Sequence, residues 1–211
     1  LPYISLLNEE KIVFGAVNLH FRFGHVSSLQ YLSSLFNNFL FKDNGVLIPL
    51  TIIYSASLLF FYDEFKKNSN NKSAKLFSFF SIIFILTSMN RYGEFGNDDP
   101  AVFFYLITIY YFLTNFILKS QDTTEIFNKV LLFSASVFLI KQFYALIVFF
   151  PLYLLIISYK KIKIINNTVI FSFLFVGFWL IKNLLVTACI IYPINFTCID
   201  SLSWSASETN Y

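Results

Sequence analysis

Charge is scarce in this chain, at 13% of 211 residues, and cysteine is scarcer still, with two. Cys189 and Cys198 alone exclude a scaffold stapled by many disulfides. No basic stripe lies outside the loops between apolar runs, which argues against nucleic acid as a partner. No internal repeat is visible. Leu1 follows neither a methionine nor a basic-then-apolar leader, so the chain reads as a piece of a longer protein, lacking at least one membrane span before Leu1.

What is abundant is apolar side chain. The composition is 57% hydrophobic and 21% aromatic, with 29 Phe, and the mean hydropathy is +0.67. A soluble domain of this length needs no such quantity of Phe for its core. Several apolar runs approach the roughly 20 residues that carry a helix across a bilayer. The expected fold class is therefore an all-α polytopic membrane protein.

Apolar runs predict spans at 46–62, 76–89, 101–118 and 168–181. Residues 130–158 form a longer run, broken by Lys141-Gln142 and by Pro151, and predict a broken or re-entrant helix pair. Residues 1–44 and 182–211 are mixed segments, and 27–41 suits a short helix at the interface. Basic residues then set the orientation, because short cytoplasmic loops collect Lys and Arg. Lys66, Lys67, Lys72, Lys75, Lys119, Lys129, Lys160, Lys161 and Lys163 crowd three short loops. Lys11, Arg22, Lys42, Arg91 and Lys182 are spread over much longer sequence. The first group is placed in the cytoplasm and the second outside. Residues 1–44, 90–100 and the tail from about 182 then share the outer face.

One stretch on that face is conspicuous: MNRYGEFGNDDP, residues 89–100, gathers Arg91, Glu94, Asp98 and Asp99 between two greasy runs. The two aspartates sit where a helix begins, and acids there suit the free N–H groups and the dipole. They are equally able to orient a hydroxyl acceptor or to hold a divalent cation through hard oxygen ligands. Arg91 is either an interfacial anchor or a fork onto phosphate. Lys141, charged inside an apolar run, either snorkels to the outer interface or serves a function at depth. His20 and His25 are five apart, which is not a usual helical ligand spacing, and suit satisfied interfacial positions better than a metal site. Cys189 and Cys198 would face an oxidising compartment, where a disulfide is open to them.

Several segments, in this order, resemble the GT-C superfamily of bacterial polytopic glycosyltransferases, which includes protein O-mannosyltransferases and lipid A aminoarabinose transferases. EKIVFGAVNLHFRFGHVSSLQYLSSLF resembles the first external loop of that superfamily, and NRYGEFGNDDPAVFF resembles the second. FLIKQFYALIVFF is similar to its broken helix pair with a lysine at the break. KNLLVTACIIYPINFTCIDSLSW resembles the loop after a later span. Together these cover most of the chain. The resemblance implies a GT-C-like helix bundle with short helices in its external loops, in a bacterial inner membrane with the active face periplasmic.

The function so implied is transfer of a sugar from a polyprenyl-phosphate donor to a glycan, lipid or protein acceptor of the envelope. A carboxylate acts there as general base, and cations neutralise the leaving phosphate. Asp98, Asp99 and Glu94 are the candidate catalytic carboxylates, and Arg22, Arg91, Lys141, His20 and His25 the candidate substrate-binding residues. Membrane lipid and the lipid-linked sugar are the expected partners, a divalent cation is the cofactor the chemistry leaves room for, and the metal ligands are open. The superfamily usually carries its base just after the first span, which the resemblance places before Leu1, so the segment alone is expected to be inactive. The alternative is a transporter, flippase or polymerase-like protein handling lipid-linked glycans.

Overall fold

The computed structural model describes residues 7, 9–10, 12–19, 21–25, 27–38, 40–68, 71–88, 98–118, 122–163 and 165–205. These residues are helical, with no strand among them beyond an isolated bridge between Cys189 and Cys198. The α-helices whose residues are described are, in order, α1 Ser28–Phe36, α2 Ile48–Lys67, α3 Lys72–Ser88, α4 Asp98–Leu118, α5 Thr123–Ile140, α6 Phe149–Ser158 and α7 Asn167–Thr187. Short 3-10 turns lie at Ala16–Asn18, Phe21–His25, Lys42–Leu47, Gln142–Val148 and Asn195–Thr197.

Among the described residues, three stretches are long and apolar enough to cross a bilayer: Asn44–Lys67, Thr123–Ile140 and Asn167–Thr187. Between 33% and 39% of each apolar window is buried inside the protein. Large apolar side chains are exposed: Phe171, Phe173, Phe175 and Phe178 on α7, and also Phe79, Phe80, Ile83 and Phe84 on α3. Surface of this extent is costly against water and neutral against lipid tails.

Helix ends depart from the apolar runs where polar residues continue the backbone pattern. α2 runs past Tyr62 through Asp63 and Glu64 to Lys67, because Glu and Lys are good helix formers and a terminal lysine pair suits the negative helix end. α7 continues to Thr187, so residues 182–187, expected in a loop, are helical. Their polar groups are met locally. Lys182 lies with its Nζ 3.5 Å from the Trp179 ring centroid, and the buried Asn183 donates to Ile190 O at 3.2 Å.

The chain divides into two compact units, one of residues 1–48 with 173–211 and one of residues 49–172. In the first unit, α1 is opened by a capping box in which Gln30 N donates to Ser27 Oγ at 3.3 Å and Ser27 N donates to Gln30 Oε1 at 2.9 Å. Trp179 meets the Tyr31 ring edge-on at 6.0 Å. After α7 the chain turns through a loop closed by the Cys189–Cys198 disulfide. Thr197 stitches that loop: its hydroxyl donates to Ile191 O and accepts from Ile191 N. Trp204 then donates from its indole to Leu184 O at 3.2 Å, packs on Phe14 at 5.4 Å, and accepts at its carbonyl from Asn18 Nδ2 at 3.0 Å.

The second unit has two packed cores. Tyr54, Phe61, Ala74, Ile85, Phe103, Ile107 and Tyr110 join α2, α3 and α4. The Tyr54 hydroxyl reaches across to Ile85 O at 3.1 Å. Ile126, Phe127, Val130, Leu154, Ile162 and Val169 join α5, α6 and the first turn of α7.

Candidate functional site

α4 begins at Asp98, with Asp98 and Asp99 in its first turn and Pro100 buried behind them. Proline is tolerated there because the first N–H groups of a helix lack intrahelical partners. Both acids therefore stand at the positive end of the α4 dipole.

α5 ends at Ile140 where the backbone leaves helical geometry: Lys141 is extended, at φ −146° and ψ 103°. Its N–H still donates to Val137 O at 2.8 Å, closing the last helical turn. The chain then winds into the 3-10 turn Gln142–Val148, kinked at Tyr144, before α6. An extended residue between two helices swings its side chain off the helical path, and the Lys141 ammonium forms an ion pair with the Asp98 carboxylate. Two residues 43 positions apart are brought together. The pair is open to solvent, with side-chain exposures of 36% for Lys141 and 64% for Asp98. Tyr105, about two α4 turns further on, leans towards Tyr144 and Phe150 with ring centroids 6.1 and 6.3 Å away.

Chemically this is a carboxylate beside a cation at the mouth of two helix ends. The carboxylate is able to accept a proton from a hydroxyl, and the ammonium to meet a phosphate oxygen when the pair exchanges partners.

The other sequence candidates are distributed differently. Arg91 and Glu94 lie in 89–97, outside the described residues, and so does His20. Arg22 belongs to the 3-10 turn Phe21–His25 of the first unit. His25, in the same turn, is exposed and stands edge-on to Tyr192 at 4.9 Å. Cys189 and Cys198 are bonded to each other. Among the described residues no three His, Cys, Asp or Glu side chains gather as a metal site.

Sequence reasoning passed over one polar cluster. Glu64 near the end of α2 accepts from the Tyr110 hydroxyl at 2.5 Å and from Asn68 Nδ2 at 3.1 Å. Asn68 also donates to the Tyr110 oxygen at 2.8 Å. The only local signal was Glu64 and Asn68 at i, i+4 on the last turn of an apolar helix. Tyr110 lies 46 residues away in sequence from Glu64.

A family model described as a domain of unknown function, DUF8201, matches residues 1–210, and the chain belongs to that family. No curated protein and no solved structure matches it significantly.

Proposed function

We propose that this member of the DUF8201 family is a multi-pass membrane protein of GT-C type that transfers a sugar from a polyprenyl-phosphate donor to an acceptor hydroxyl or amide outside the membrane. The observation that carries the reading is the Asp98–Lys141 pair, which sets a carboxylate and an ammonium side by side at the ends of α4 and α5. The apolar outward faces of α3 and α7 support a lipid environment for it.

In the reaction the acceptor loses its proton to the carboxylate as its oxygen or nitrogen bonds to the anomeric carbon. The bond from that carbon to the phosphate oxygen breaks, and the polyprenyl phosphate leaves with the electron pair. Asp98 takes the proton, with Asp99 beside it on the same helix turn. Lys141 meets the leaving phosphate, and Arg91 and Glu94 are proposed from the sequence as a further phosphate ligand and a third carboxylate. A base contributes roughly 10²–10⁴-fold, and a cation on the leaving group adds electrostatic stabilisation. A divalent cation held by the carboxylates would supply the same neutralisation.

The test is transfer from a radiolabelled polyprenyl-phosphate sugar in membranes carrying the intact protein at matched expression. Asp98→Asn and Lys141→Gln are each expected to lower transfer at least 100-fold, in line with loss of a general base or of phosphate contact. Activity held at the parental level in both variants sinks the reading. The broken helix between α5 and α6 favours a second reading, movement of a lipid-linked glycan across the membrane. Flipping of a fluorescent lipid-linked glycan that fails in the Lys141 variant, in membranes with no transfer at all, would decide for it.

A further inference from the structure

A cleft of about 380 Å³ opens at the other end of α4, between the last turns of α2 and the second turn of α5. Tyr110 lies twelve residues beyond Asp98 on α4, roughly 18 Å at the helical rise, so this cleft is separate from the charged pair described above. Its volume falls within the roughly 300–1,000 Å³ of small-molecule sites. Phe60 and Tyr111 form apolar walls, and Asp63, Glu64, Lys67 and Lys129 bring two acids and two bases to it.

The floor is pre-organised. Glu64, 19% exposed, is held by Tyr110 and Asn68 and faces Lys67 Nζ at 3.5 Å. On the opposite wall Lys129 pairs with Glu125 at 2.5 Å while its ammonium sits 4.9 Å from the Tyr111 ring centroid. Asp63, Glu64 and Lys67 thus stand on α2, and Lys129 faces them from α5.

Formal charge in the cleft cancels. A lone anion would meet Asp63 and Glu64, and a lone cation would meet Lys67 and Lys129. A ligand carrying both an ammonium and a phosphate satisfies both sides at once. The depth points the same way, since the apolar stretch Asn44–Lys67 ends at this cleft, where headgroups lie if that stretch crosses the bilayer. The Phe60 ring already packs edge-on against Tyr110 and tilted against Tyr111, and Lys129 covers Tyr111. No open aromatic box remains for a quaternary ammonium. Carboxylates and a phenol oxygen instead suit a primary ammonium, which has three N–H groups to donate.

We infer that this cleft binds a primary aminoalkyl phosphate, the chemistry of a phosphoethanolamine lipid headgroup or of its free ester. The ammonium lies towards Asp63 and Glu64, and the phosphate between Lys67 and Lys129. The inference does not rest on sugar transfer: its readout is lipid retention, so the two readings fail separately.

The experiment is native mass spectrometry of the intact, detergent-purified protein against short-chain phosphatidylethanolamine, phosphatidylcholine and phosphatidylglycerol at equal concentration. Soluble glycerophosphoethanolamine is added as a competitor. Phosphatidylethanolamine is expected to be retained at least tenfold over the other two. Lys129→Gln and Asp63→Asn, at the mouth and outside the packed core, are each expected to remove most of that preference. Displacement by the soluble ester identifies the headgroup alone as the ligand, and failure to displace identifies the lipid; both support the site. Equal retention of all three lipids, preference for phosphatidylglycerol, or selectivity unchanged in both variants overturns it.

Discussion

At the scale of single residues, the Asp98–Lys141 pair is a weak structural element and a strong chemical one. Both partners are open to solvent, and exposed ion pairs contribute about 0–1 kcal/mol. Lys141→Gln should therefore leave the thermal midpoint in detergent within a few degrees of the parent while lowering transfer, a split that a purely structural lysine would not produce. Buried hydroxyls give the opposite case. Ser57, Ser134 and Ser172 have their Oγ atoms buried without a hydrogen-bond partner. An unpaired buried hydroxyl costs roughly 1–3 kcal/mol, so Ser57→Ala and Ser134→Ala should be neutral or stabilising in thermal unfolding. A clear loss of stability in either would show that the hydroxyl is engaged. Tyr31, in the short helix α1, is buried enough that its phenol is pushed up from 10.0 to about 12. The unfolded chain ionises this group first. Its stabilising contribution is therefore complete below pH 10 and is lost as pH rises through 12. Tyr31→Phe should flatten that alkaline loss in a pH series of unfolding midpoints.

At the scale of elements, helices were legible in the apolar runs and their partners were not. The charge at Lys141 marked a helix break, and a break is what the extended backbone at 141 supplies. Ser27 and Gln30 spelled a capping box in plain sequence. That Asp98 would be the residue facing Lys141 followed from no local pattern, because it depends on how α4 and α5 pack. The same holds for Glu64 and Tyr110, whose pairing is set by the α2–α4 contact. Hydropathy also ended α7 too early, because Lys182 and Asn183 look like loop residues until Trp179 and Ile190 are seen beside them. The tail turn is another tertiary feature. Gly15 has φ +64°, and a Cβ there would stand 2.8 Å from Trp204 Cβ. Left-handed backbone costs an L-residue about 1–2 kcal/mol, and the contact adds to it, so Gly15→Ala should lower the unfolding midpoint of the first unit measurably. Reducing the Cys189–Cys198 bond, which spans nine positions, should cost about 2–3 kcal/mol on the loop-entropy scale. Thermal unfolding with and without reductant measures it.

At the scale of the whole molecule, the apolar composition reappears as helices that expose Phe, Ile and Leu. Sidedness is the testable part. Cysteines introduced at Gln142 and at Ser73, in a chain whose native cysteines are bonded, should differ towards an impermeant maleimide added to intact cells. The first is expected to react and the second to stay protected until the membrane is opened; the reverse pattern would invert the orientation drawn from lysines.

The division of the chain has a further consequence, in the order of synthesis. The second unit is one continuous stretch, 49–172, whereas the first is built from both ends of the chain. Gly15 N donates to Leu185 O, and Asn18 to Trp204, across 186 positions in the latter case. As the ribosome works from one end to the other, the inserted unit is complete before the last strip of its host exists. The opening residues must wait, with Val17 unshielded, for Cys189 and Tyr192, which are made after the inserted unit. A nascent chain halted after residue 172 is therefore expected to protect 49–172 from protease while leaving the first 48 residues open to cleavage.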